Sequence, residues 1–154
     1  MEVKRQKGFV LIEVVVAMGI SMIVLLAVGA VLATSQTRWN SAWEKVNLQQ
    51  DASYVMLMLS HAIKEAASAT VEDNGKKIQI YDTDGNWVKF TFKRNTNTLK
   101  YKPQGQSTQT LIDGYVEDLV FEVEDNRVGI DLILERGDQE VHFDSTVQMR
   151  NYGL

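Results

Sequence analysis

Residues 4–36, "KRQKGFVLIEVVVAMGISMIVLLAVGAVLATSQ", hold one acid, Glu13, at the head of a long apolar run. Ahead of it stand the cations Lys4, Arg5 and Lys7 and then the pair Gly8 and Phe9, and from Val14 to Thr37 no residue is charged. A carboxylate at the centre of a membrane helix costs on the order of 2.5–3.5 kcal/mol, and less near the interface. Taken by itself, Glu13 reads as a group that reaches back to the headgroup boundary. A cation held in the same layer would turn it into an ion pair, which is a binding contact and not acid–base catalysis.

The remaining candidates for chemistry are sparse. His61 falls on a helix and His142 on the polar face of a strand, and neither has a second His, Asp or Glu at ligand spacing beside it in sequence, so no metal site is expected. "DTDGN" at 82–86 hints at calcium, but the later glycine and closing glutamate of a calcium loop are missing, and a hairpin turn explains it better. "RGD" at 136–138 reads as a turn between strands. No phosphate-binding glycine loop and no Ser/His/Asp set is evident, so no catalytic residue, metal or cofactor is expected and the protein is read as a non-enzyme. There is no cysteine, which removes disulfides, thiolate metal sites and a thiol nucleophile together.

Elements of three kinds must position Glu13 and carry the rest. With 154 residues the chain has room for one modest domain beside a membrane segment. A bilayer core of about 30 Å needs roughly 20 helical residues, and the run after Glu13 is long enough to span it. It is also longer than the usual signal-peptide core, although Val31 and Ala33 form a small-residue pattern that signal peptidase accepts after Ala33. The cations precede the span, so the N-terminus is expected inside and everything after residue 38 outside. The formal net charge of −4, with no block of like charge beyond the first residues, gives no footprint for nucleic acid.

Beyond the span the helix is expected to continue. Leu48, Ala52, Val55, Leu59, Ala62 and Ala66 advance by threes and fours as one apolar stripe, with Gln49, Gln50, Lys64 and Glu65 off it. Trp39 and Trp43 suit the headgroup layer or, equally, packing against the domain. The helix is expected to end near "ASATVEDNG", and the period then changes to 2. Ile78 and Ile80, Val88 to Phe92, Leu99 and Tyr101, Leu119 to Val123, Val128 to Leu134, and Val141 to Met149 give about six strands, with "QGQSTQT" as a polar loop. One-sided alternation predicts antiparallel sheet covered by the amphipathic half of the helix, an α+β fold.

"KGFVLIEVVVAMGI" resembles the prepilin leader and methylation motif of the type IV pilin-like family, in which a basic leader, a glycine, a phenylalanine and a glutamate open a hydrophobic run. The resemblance implies cleavage between Gly8 and Phe9 by a membrane prepilin peptidase that also methylates the new amine at Phe9, leaving Glu13 as the fifth residue of the mature chain. That amine lies in the membrane layer of Glu13, on its own chain or a neighbour's, so Glu13 is implied to be an assembly contact that selects a register. Ala17 with Ser21 and Gly29 with Ala33 give small-xxx-small spacings for close helix approach. Many pilins carry a proline in this segment and this chain has none there, which leaves Gly19 and Gly29 as the points where the helix could loosen.

The implied organisation is a leader at 1–8, a transmembrane and filament-core helix at 9–37, its amphipathic continuation at 38–70 and an extracytoplasmic β-domain at 71–154. The closing "STVQMRNYGL", with Arg150 and Asn151, resembles J-like or W-like minor pilins. The implied function is that of a minor pilin or pseudopilin of a type IV pilus, competence pilus or type II secretion filament. Its partners would be the prepilin peptidase, other pilin or pseudopilin subunits and membrane lipid. It would sit as a single-pass inner-membrane protein before entering a surface or periplasmic filament. The alternative is a single-pass anchored or secreted β-rich binding domain unrelated to pili, which would keep its leader or begin at Thr34.

Overall fold

The computed structural model describes residues 6–153, with nothing stated of the side chains at 6–10, 37 and 40; Lys4 and Arg5 lie outside the described residues. Helix α1, Gln6–Lys64, is followed by eight strands: β1 Ser68–Glu72, β2 Lys77–Tyr81, β3 Trp87–Lys93, β4 Thr98–Pro103, β5 Gln109–Ile112, β6 Val116–Glu124, β7 Arg127–Arg136 and β8 Gln139–Gln148. All neighbouring strands are antiparallel, in a five-stranded sheet ordered β1-β2-β3-β4-β5 and a three-stranded sheet ordered β6-β7-β8. The α+β class, with a long N-terminal helix and antiparallel sheet, is as the periodicities predict. The chain divides into two compact units, one ending at Ala42 and the other beginning at Trp43.

In the second unit the buried stripe of α1 is Leu48, Ala52, Val55, Leu59 and Ile63. It joins Ile78, Phe90, Leu99 and Ile112 of one sheet and Leu119, Phe121, Ile130 and Leu132 of the other in a single core. Burying one such side chain is worth roughly 1.5–3 kcal/mol, so this face decides where the helix and the sheets lie. Ala62, expected in the stripe, is only half-buried, because Ile63 takes the inward position one residue on.

Three expectations need correction. The helix stops at Lys64 and not near residue 70. Its last carbonyls are met by the C-terminal segment: Arg150 N–H donates to Lys64 O and Asn151 Nδ2 to Glu65 O, both at 3.2 Å. Ser68–Glu72, read as the helix end, is β1, whose Ala69 and Val71 face Ile80 and Ile78 of β2. The polar run 104–110 is not all loop, since Gln109 begins β5, which pairs with β4 through a register shift at Leu99/Lys100. Eight strands therefore replace about six, and the sheet region begins at residue 68 and not 71.

The β1–β2 turn is one place where the two sheets are joined through the backbone. Asp73, Asn74 and Gly75 all have positive φ, at 57°, 49° and 86°. Gly75 O accepts a 2.8 Å hydrogen bond from Phe121 N–H of β6. A Cβ at Gly75 would stand 2.8 Å from Val120 Cγ1 and 3.1 Å from Phe121 O, so the position requires glycine for space as well as for φ. The neighbouring Lys76 ammonium pairs with Asp118 of β6.

Candidate functional site

The site is the first half of α1. An uninterrupted helix repeats every 3.6 residues, so Glu13, Ala17 and Ser21 succeed one another along one face with a slow drift. Gly29 and Ala33 lie about 120° round the axis from Ala17 and Ser21 at 3.6 residues per turn. The two small-residue pairs therefore present themselves on different faces and can serve different neighbours. An added Cβ at Gly19 or Gly29 would meet nothing within 4 Å, and α1 passes through both glycines without a break.

The apolar residues of this half are exposed on every side, from 46% at Val14 to 71% at Leu25. Such a surface is not stable in water and calls for lipid or other helices. Length and composition suffice for a membrane crossing. Glu13 is exposed, and no ion-pair partner for it lies among the described residues. The side chains of Lys7 and Phe9 lie outside the described residues, while the helical backbone runs through Gly8 and Phe9. Trp39 and Trp43 are exposed, as rings at a headgroup layer would be, and neither joins the core.

Residues 3–33 match the family described as the prokaryotic N-terminal methylation motif. The match supports a type IV pilin-like prepilin leader at the N-terminal end. The motif covers Lys4 to Ala33, so the basic leader, Gly8, Phe9, Glu13 and most of the exposed apolar helix fall within one matched segment. The motif supports a substrate of prepilin-peptidase type. Together with the apolar helix it fits a membrane-anchored protein of pilin type. Neither a curated protein nor a solved structure matches the chain.

Outside the motif segment several polar side chains hold turns and strands in place. Asp82 closes the β2–β3 turn by accepting from Asp84 N–H at 2.9 Å, Asn86 N–H at 2.8 Å and Asn86 Nδ2 at 3.0 Å. These bonds, led by the Asn86 side chain, hold the Asp82 carboxyl below its ordinary value. Burial works to raise the Asp118 carboxyl, but the hydrogen bond and charge of Lys76 outweigh it and hold the group low. His61 does have an acid beside it, Glu65 one turn on, with Nδ1 3.4 Å from its carboxylate.

Strand pairing likewise gives His142 a partner that linear spacing does not show: its Nε2 lies 2.7 Å from Asp131 Oδ1 of the neighbouring strand. Among the described residues no group of three such side chains is arranged to hold a metal. Of "RGD", Arg136 ends β7 and Gly137 and Asp138 form the β7–β8 turn, with Gly137 at φ 60°.

Proposed function

We propose that the protein is a filament subunit, a minor pilin or pseudopilin. Prepilin peptidase cuts it between Gly8 and Phe9 and methylates the Phe9 amine. Lys4, Arg5 and Lys7 hold the leader on the cytoplasmic side, and the domain from Trp43 onward stands outside the inner membrane. Glu13 then pairs with a Phe9 amine of its own or a neighbouring chain, and assembly into a type IV pilus, competence pilus or type II secretion filament follows. The role is structural and not enzymatic.

One observation carries this reading: the methylation motif coincides with a helix whose apolar side chains are exposed all round. Two needs of that segment are met by one process. In the membrane, lipid covers the apolar residues; in a filament, neighbouring helices replace lipid, with Ala17, Ser21, Gly29 and Ala33 allowing close approach. Burying the Glu13 carboxylate among apolar helices is otherwise unfavourable, and pairing with a fixed amine offsets that in a filament and selects the stagger. Intact mass with N-terminal sequencing tests the reading. A mature chain beginning at methylated Phe9 is expected; a chain that keeps its leader, or begins at Thr34, overturns it.

A further inference from the structure

Strand pairing sorts the charges of the second unit by sign. On the face of the five-stranded sheet opposite Ile78, Phe90 and Leu99, the register places Lys77, Lys89, Lys93, Lys100 and Lys102. Lys89 directly faces Lys102, and its ammonium lies 5.4 Å from the Trp87 ring. The acid on the strands of this face is Glu72, which Lys77 already engages.

The three-stranded sheet is the reverse. Its outer face carries the exposed carboxylates of Glu122, Glu124, Asp131, Glu135, Glu140 and Asp144. Asp131 directly faces Asp144, and Glu135 faces Glu140. Arg127 opposite Glu124 and His142 beside Asp131 offset only part of this charge.

Like charges directly opposite each other destabilise a sheet. Each face therefore holds repulsion that a surface of the other sign relieves. We propose that the lysine face of one copy docks on the carboxylate face of a second copy of this chain. A polyanion would satisfy the lysine face, yet it would leave the carboxylate face unrelieved and be repelled by it. A second copy satisfies both at once. Single exposed ion pairs contribute little, but opposed arrays steer encounter and reject like-on-like contacts. A contact between two different faces is heterologous, the kind that continues into open chains of subunits when it does not close. Neither face includes a residue of α1, so this inference does not rest on processing of the leader.

The test uses the full chain in neutral-detergent micelles, mixing unlabelled and ¹⁵N-labelled copies and linking amines to touching carboxylates with a carbodiimide. Mass spectrometry is expected to find mixed-isotope links from Lys89, Lys100 or Lys102 to Glu122, Asp131 or Asp144. Raising salt from about 0.05 to 0.5 M should cut them about tenfold, because screening shortens the reach of exposed charges. The pair K89E/K102E and the pair E122K/D144K should each lose the links, and mixing the two variants should restore them. Links confined to single copies overturn the proposal. So do mixed links that survive both high salt and charge reversal. Retention of a DNA duplex or of phosphatidylglycerol vesicles by the lysine face, with no mixed links, would mean that a polyanion or lipid is the occupant and would also overturn it.

Discussion

Tyr115 Oη donates a 2.6 Å hydrogen bond to Asp51 Oδ2, which joins the segment just before β6 to helix α1 within the second unit. The Arg136 guanidinium lies 5.5 Å from the Tyr115 ring, so helix, β6 entry and the end of β7 meet at one phenol. Burial and the Asp51 carboxylate push the Tyr115 hydroxyl up to about 12.

This contact sets a limit at alkaline pH. The folded state keeps the phenol proton over a range in which the unfolded chain releases it. The stability it contributes is therefore intact below about pH 10 and is lost as pH rises toward 12. Tyr115→Phe should lower stability by about 1 kcal/mol at neutral pH, the net worth of one hydrogen bond. It should also lose less between pH 10 and 12 than the wild type does. Circular dichroism melts in detergent micelles across that range provide the check, and parallel losses would show that Tyr115 does not titrate with folding.

Gly75→Ala should destabilise the domain by about 1–3 kcal/mol through backbone strain, and more through the approach of its Cβ to Val120 and Phe121. Gly85 is the comparison: its φ is +80°, but an added Cβ there meets nothing within 4 Å. Thermal melts should place Gly75→Ala below Gly85→Ala. Equal melting temperatures would remove the steric part of the argument.

Gly8→Val tests processing. Glycine would leave the backbone at the proposed cut open to the peptidase, and a β-branched side chain would block that approach. The variant should accumulate in the membrane at precursor mass with its domain folded. A mature chain starting at Phe9 in that variant would count against the role given to Gly8.

Glu13→Gln separates an assembly contact from a carboxylate that merely reaches the headgroups. An amide enters lipid more readily than a carboxylate, so insertion and cleavage should proceed as before. The proposed pair with the Phe9 amine would be lost, and removing one partner of a buried pair costs on the order of 3–5 kcal/mol. The fraction of subunit in sheared filaments should fall relative to the fraction left in the inner membrane. Equal incorporation of wild type and variant would sink the assembly role.

Local patterns in the chain were sufficient for much of this architecture. The charge-free run after Glu13 and the cations before it specify a membrane-length helix with a basic leader, because insertion depends on composition and not on distant contacts. The spacing of Leu48, Ala52, Val55 and Leu59, and the alternation of Val88, Phe90 and Phe92, predict helix and strand for the same reason: burial follows the local repeat. Where a choice depended on a distant partner, the sequence was silent. Ser68–Glu72 became a strand because β2 offers Ile78 and Ile80 as partners and because Arg150 and Asn151 close the helix at Lys64 and Glu65. Gln109–Ile112 joined β4 only through a shifted register. The charges show this most clearly. A net −4 suggests a mixed surface, yet the alternation of side chains across paired strands gathers lysines on one sheet and carboxylates on the other. Only the pairing of strands far apart in sequence decides which charges become neighbours, since each strand by itself gives two faces and no partner.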